Sequence, residues 1–280
     1  TLIFYLFIFL GSWLKLLKRL CLPQKRHQLI RKIHVFFFFF LSLIPLSHAA
    51  SNIWDVLGEK IILDHQLNRP EVQEQIRWIL AHPGYIQSAC KQSEPYIYHI
   101  LGKIINKGLP GELALLPVIE SAYNPFAYSI AGAAGLWQIM PGTGNAYGLT
   151  QDWWFDGRRS IASSTDAALN YLVYLHKFFN GNWIFAVAAY DAGEGTIDRA
   201  VKTLINAQQP VYFWSLPIPN ETKAYVPRLL ALAEIIKNPD TYGVKLPYIP
   251  YLPYFEEVNI EGQIDLNHAA RLAGMSYKEL

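Results

Sequence analysis

The stretch at 112–148, ELALLPVIESAYNPFAYSIAGAAGLWQIMPGTGNAYG, constrains the fold more than any other part of the chain. Leu113, Leu115, Leu116, Val118 and Ile119 are apolar around the whole circumference of a 3.6-residue period. The segment therefore reads as a helix buried on every side. It ends in a single carboxylate, Glu120, and Asn124-Pro125 is expected to stop the helix just beyond it. Glu120 then sits where water is scarce, at the negative end of the helix dipole. Both effects disfavour ionisation and should raise its pKa toward neutrality. A carboxylic acid that keeps its proton near neutral pH can donate it, which is the profile of a general acid. A lone buried glutamate can equally be half of a salt bridge, so the surrounding residues must decide.

Length and charge narrow the choice. The 280 residues can hold one sizeable domain with appendages. The net charge of +2 conceals an asymmetry, because residues 1–49 carry Lys15, Lys18, Arg19, Lys25, Arg26, Arg31 and Lys32 and no acid; without them it falls to −5. A mildly acidic remainder lacks the basic footprint of a nucleic-acid binder, so no nucleic-acid partner is expected. The 14% aromatic content suits a sugar-binding cleft and a packed core alike.

In residues 1–49, a basic segment at 25–32 precedes twelve largely apolar residues at 35–46, and Ser47-His48-Ala49 supplies small residues for a cleavage site. This order reads as a secretory signal peptide, with export to the periplasm or cell envelope. Twelve residues fall short of the roughly 20 that span a bilayer. An uncleaved membrane anchor is the alternative. The apolar stretch at 2–14 and the initial Thr1 suggest sequence upstream of the natural start. Cys21 and Cys90 fall on opposite sides of the expected cleavage, so no disulfide is expected within the mature chain.

Residues 50–108 read as a helical arm of structural character. Val72, Ile76, Ile79 and Leu80 form one apolar face; after a break at His82-Pro83-Gly84, Tyr96, Ile97, Ile100, Leu101, Ile104 and Ile105 form a second. A domain at 109–238 follows. Its loop at 129–135 is rich in glycine and alanine, which permits close backbone approach by a ligand or another helix. Gln138, beside Trp137 and Met140, needs a polar partner. Asp156 reads as the anchor of a turn, and Ser163-Ser164-Thr165-Asp166 as the cap of a helix whose Ala168, Leu169, Tyr171, Leu172 and Leu175 are structural. After Gly181-Asn182-Trp183, a short apolar helix delivers Tyr190 and Asp191 at its end, and Gly193 and Gly195 turn the chain into another helix. Glu221-Thr222-Lys223-Ala224-Tyr225-Val226-Pro227 opens the last long helix, in which a buried Tyr225 hydroxyl would need a partner. Beyond Asn238-Pro239, prolines and tyrosines mark an extended linker at 239–280, with a short strand at 255–260 and a helix over 266–273. The five histidines after residue 50 show no ligand spacing, so neither metal nor other cofactor is expected.

Glu120-Ser121, Gly135-Leu136-Trp137-Gln138 with Met140-Pro141, the run Ala188-Ala189-Tyr190-Asp191-Ala192-Gly193-Glu194-Gly195, and the motif around Tyr225 stand in this order. Together they resemble the SLT-domain lytic transglycosylase family, from about Ile53 to the end of the sequence. The resemblance implies a mainly α, lysozyme-like catalytic domain with a helical arm before it. It implies cleavage of the β-1,4 bond between N-acetylmuramic acid and N-acetylglucosamine in peptidoglycan, leaving 1,6-anhydro ends. Glu120 would be the catalytic residue, acid and then base; Ser121 and Tyr225 would orient the acid and the substrate's N-acetyl group, while Gln138, Tyr190 and Asp191 would line the cleft. Most relatives carry asparagine where this chain has Asp191, and a carboxylate there loses the amide donors and adds charge near Glu120. Two other readings stay open, a lysozyme-type hydrolase using Asp191 as second carboxylate and an inactive peptidoglycan-binding module. Relatives of this kind are often lipoproteins, yet Lys18-Arg19-Leu20 before Cys21 lacks the small residues of a lipid-attachment site. They also often continue into LysM repeats, so the sequence is expected to be a fragment.

Overall fold

A computed structural model describes residues 50–258 and 262–278; the expected targeting region at 1–49, with Cys21, lies outside them. The arm opens with α1 (Ile53–Lys60), whose cap Asn52 accepts from the Trp54 N–H. Helices α2 (Pro70–Ala81) and α3 (Pro83–Ser93) each start on a proline, where the missing N–H would be unpaired anyway. The break read at 82–84 is thus a joint between two helices, and α4 (Ile97–Asn106) follows. Val72, Ile76 and Ile79 are buried as predicted, but Leu80 is 37% exposed. One step past Ile79 turns its side chain by roughly 100° around the helix, off the buried stripe.

The apolar run ahead of Glu120 is buried but is not one continuous α-helix. A 3₁₀ turn, Gly111–Leu115, leads into α5 (Leu116–Ser121). Pro117 has no N–H for the Leu113 carbonyl, which takes its bond from Leu116 in the tighter 3₁₀ pattern instead. There follow α6 (Pro141–Ala146), α7 (Ile161–Phe178), α8 (Trp183–Ala192), α9 (Glu194–Asn206), α10 (Asn220–Lys237) and α11 (Leu266–Ala273). The cap of α7 is Ser160, whose Oγ accepts from Ser163 N–H at 3.4 Å, so the helix begins ahead of the cap read at 163–166.

Helix α10 is the pillar of the domain. Val226, Leu229, Leu230, Leu232, Ile235 and Ile236 are at most 3% exposed, and the helix touches α1, α2, α5 and α8. Each such burial contributes roughly 1.5–3 kcal/mol. That outweighs the roughly 3 kcal/mol cost of Pro227 in the helix interior. Helix α7 packs against α4 and α8, and α8 against α9. The mainly helical class is as expected: the described residues contain no sheet, only isolated bridges such as Tyr128 with Ala134 and Ala134 with Ile139.

Two features were not visible in the sequence. The segment after Pro239 is extended but fastened down: Ile53 N–H donates to the Ile249 carbonyl at 2.8 Å, Tyr251 N–H to Ser51 at 2.7 Å and Trp54 Nε1 to Pro247 at 2.7 Å. Farther on, residues 255–258 form no strand, having no neighbouring edge to pair with; Phe255 instead packs against the His99 ring at 5.4 Å, and 259–261 lie outside the described residues. Secondly, a buried charge cluster ties the arm to the pillar. His65 Nδ1 lies 2.6 Å from Glu234 Oε2, and His65 Nε2 lies 3.6 Å from Glu112 Oε1, which also accepts from Leu63 N–H at 2.6 Å. Burial alone would lower the His65 pKa, but hydrogen bonds to Glu112 and Glu234 and their charges more than offset it and raise it.

Candidate active site

Glu120 is the penultimate residue of α5. The helix stops at Ser121, earlier than Asn124-Pro125 would require, because Ala122 and Tyr123 adopt φ of 50° and 60°. Two consecutive non-glycine residues in the left-handed region need strong outside support. Tyr123 supplies it, being fully buried, with its N–H bonded to the Pro117 carbonyl at 3.0 Å and its hydroxyl to Ala114. This reversal leaves the Glu120 carboxyl at the edge of a cleft of about 640 Å³. Glu120 is half-buried, open on the cleft side and enclosed elsewhere.

The loop at 129–139 lines the cleft as well, and a buried arginine shapes it. Arg158 is 4% exposed and donates through Nη1 to the carbonyls of Gly132 at 2.6 Å and Ile139 at 3.0 Å. Asp156 neutralises it through paired bonds of 2.9 and 2.8 Å and caps the following turn, as the sequence suggested. Gly135, at φ 78°, passes so close that a β-carbon there would lie 2.1 Å from the Arg158 carbonyl oxygen. Only glycine fits. The far end of the loop is pinned by Ser121 Oγ, which donates to Leu136 at 2.8 Å, and by the Tyr190 hydroxyl, which donates to Trp137 at 2.8 Å. Gln138 finds its partners in the backbone, donating to the carbonyls of Gly135 at 2.9 Å and Ala127 at 3.3 Å.

Of the six residues singled out in the sequence, Glu120, Gln138, Tyr190 and Asp191 line the cleft, and Ser121 and Tyr225 stand behind its wall. The Tyr225 hydroxyl, delivered by the second turn of α10, donates to Glu120 Oε1 at 2.5 Å. Burial is the largest influence on Glu120. Tyr225 opposes it, while the negative charges of Asp191 and Glu221 add to it, and the pKa rises to about 8. Near neutral pH the carboxyl therefore holds its proton and faces a cleft that a ligand can enter. Asp191 is also raised, again mainly by burial, against a hydrogen bond from Thr222 that favours its charged form.

A profile of the Transglycosylase SLT domain matches residues 104–210. Over 229 residues, 82% of this chain, the sequence is 40% identical to membrane-bound lytic murein transglycosylase D of Escherichia coli strain K12, of which it covers 50%. It is also 39% identical over 148 residues to a putative tributyltin chloride resistance protein of Alteromonas sp. strain M-1, a match covering 53% of this chain and 71% of that one. The chain belongs to the SLT lytic transglycosylase family. It spans half the length of the Escherichia coli relative. Among solved structures, the 70 kDa soluble lytic transglycosylase of Escherichia coli is 25% identical, with a TM-score of 0.43 over 61% of this chain and 31% of that chain.

Tyr171 and Glu221 are cleft residues of this SLT-family chain that the sequence did not reveal. Tyr171 shares its helix with Ala168, Leu172 and Leu175 and was read as core. Its ring instead leans on Tyr190 with centroids 5.7 Å apart, on the cleft side of α7. Helical spacing narrows the face a side chain occupies, but it cannot distinguish a face packed on the core from one bordering a cleft.

Proposed function

We propose that this chain is a lytic transglycosylase that cleaves the β-1,4 bond between N-acetylmuramic acid and N-acetylglucosamine in peptidoglycan strands. The observation that carries the reading is Glu120, protonated near neutral pH on a cleft wall and hydrogen-bonded by Tyr225. Glu120 gives its proton to the glycosidic oxygen while the substrate's N-acetyl group assists departure. The Tyr225 hydroxyl stabilises the carboxylate that results, a bond to a charged group being worth about 1.5–3 kcal/mol. That carboxylate then takes the proton of the muramic acid 6-hydroxyl, whose oxygen closes onto C1 as a 1,6-anhydro ring. Glu120 is thereby returned to its acid form, and no water is consumed.

Ser121 acts by holding the loop at Leu136, while Gln138, Tyr190 and Asp191 form the substrate wall. We read Asp191 as a wall residue and not as the second carboxylate of a hydrolase, because its carboxyl already accepts a hydrogen bond from Thr222. The reading divides the chain into a targeting region at 1–49, an arm at 50–108, a catalytic domain at 109–238 and a C-terminal segment at 239–280. Export to the periplasm or cell envelope follows from the pattern at 25–49. No helix among the described residues is long and apolar enough to cross a membrane. Digestion of purified murein sacculi with mass analysis of the products tests the proposal. Muropeptides lighter by one water than lysozyme products support it, and reducing-end products overturn it.

A further inference from the structure

Tyr171, on the cleft wall, is also the inner end of a series of aromatic side chains. Tyr171, Tyr174 and Phe178 recur on one face of α7. Their rings form a row leading outward: Tyr190 to Tyr171 at 5.7 Å, Tyr171 to Tyr174 at 6.3 Å with planes within 15°, and Tyr174 to Phe178 at 6.0 Å. Tyr147 closes on the same row, 5.5 Å from Tyr171. Exposure rises along it, from the half-buried Tyr171 to 41% at Tyr174 and 42% at Phe178. Beside the row stands Glu194, the half-buried first residue of α9. Partial burial, a hydrogen bond to Glu194 and that carboxylate's charge hold the Tyr174 hydroxyl above its ordinary range. Burial and the same carboxylate push Tyr171 up to about 12.

We infer that Tyr147, Tyr171, Tyr174 and Glu194, with Phe178 at the outer end, form an outer subsite that takes an N-acetylated sugar of the strand held over Glu120. The inference rests on the reading of the cleft as a glycan site. The occupant follows from continuity, since Tyr171 and Tyr190 belong to the cleft wall and to the row at once. Aromatic faces suit the C–H faces of a sugar ring, and a few convergent polar groups fix its orientation. Glu194 accepts from a hydroxyl or an acetamido N–H, and the tyrosine hydroxyls add polar partners along the row.

Binding to the catalytically silent Glu120→Gln chain separates this inference from the chemistry. Chitohexaose and chitotriose are titrated calorimetrically against that chain and against the same chain carrying Tyr174→Ala, Tyr174→Phe or Glu194→Gln. Tyr174→Ala and Glu194→Gln are expected to weaken the hexasaccharide by roughly three- to tenfold and the trisaccharide by less than about twofold, with Tyr174→Phe retaining most of the affinity. A loss equal for both sugars, or none for either, overturns the subsite while leaving the transglycosylase reading intact. Unchanged hexasaccharide binding, with Tyr174→Ala converting a dimer to a monomer in sedimentation, would assign the face to a second copy of the chain and also overturn it. Failure of both sugars to bind the Glu120→Gln chain overturns the subsite, while the transglycosylase reading stands or falls on the products of sacculus digestion. Reducing products from the active chain together with a length-dependent loss overturn the transglycosylase reading alone.

Discussion

Tyr225→Phe removes one oxygen and keeps the ring that fills the core, so it isolates the bond to Glu120. Tyr225 is 5% exposed, and its hydroxyl lies 2.5 Å from Glu120 Oε1. That bond favours the carboxylate. It works against burial and the charges of Asp191 and Glu221, which together hold Glu120 at about 8. A hydrogen bond to a charged group is worth about 1.5–3 kcal/mol, and about 1.4 kcal/mol corresponds to one pH unit. Because Glu120 opens onto the cleft, solvent screens part of this, and the lower end applies. In Tyr225→Phe the alkaline limb of kcat/KM should therefore move upward by about one pH unit. The maximal rate should fall roughly tenfold, since the carboxylate that serves as base is less stabilised. Parallel pH profiles of wild type and variant on soluble glycan strands measure both effects. A limb that stays in place or moves downward would refute the reasoning, because it would mean that the hydroxyl does not favour the ionised form.

Three other outcomes are expected. Glu120→Gln should keep its circular dichroism and lose at least roughly 10²–10⁴-fold in cleavage; residual activity above about a tenth would remove Glu120 from the chemistry. Asp191→Asn should keep or raise activity, because the amide restores two donors, and a loss of several orders of magnitude with reducing products would favour a hydrolase instead. His65→Gln should destabilise the fold by about 3–5 kcal/mol in thermal unfolding, since Glu112 and Glu234 would then be buried without their positive partner. The raised His65 contributes fully below its unfolded value of 6.5 and less as pH climbs through its folded value, whereas the lowered Glu234 contributes fully above 4.5 and less as pH falls through its own. The difference between wild type and variant should thus be widest between 4.5 and 6.5, and a difference that grows above 6.5 would reverse the sign of the coupling.

What the sequence determined by itself was whatever depends on near neighbours. The all-round apolar run at 113–119 had to be buried, and the lone carboxylate at its end had to sit at the margin of that burial. Pro83 and Gly193 marked helix boundaries, because a missing N–H or a positive φ is a property of one residue. Only the tertiary structure decided where side chains point and what they meet. Tyr225 reaches Glu120 across 105 residues, and His65 reaches Glu234 across 169. Periodicity placed Tyr171 on a plausible core face, but the neighbouring α8 brings Tyr190 against it and opens that face to the cleft. The same holds for the early end of α5. Asn124-Pro125 could stop a helix locally, but the burial of Tyr123 stops it sooner, and no neighbour in sequence announces that burial. Local rules act through three or four residues of backbone, whereas a cleft is the space left between helices whose packing depends on all of them at once.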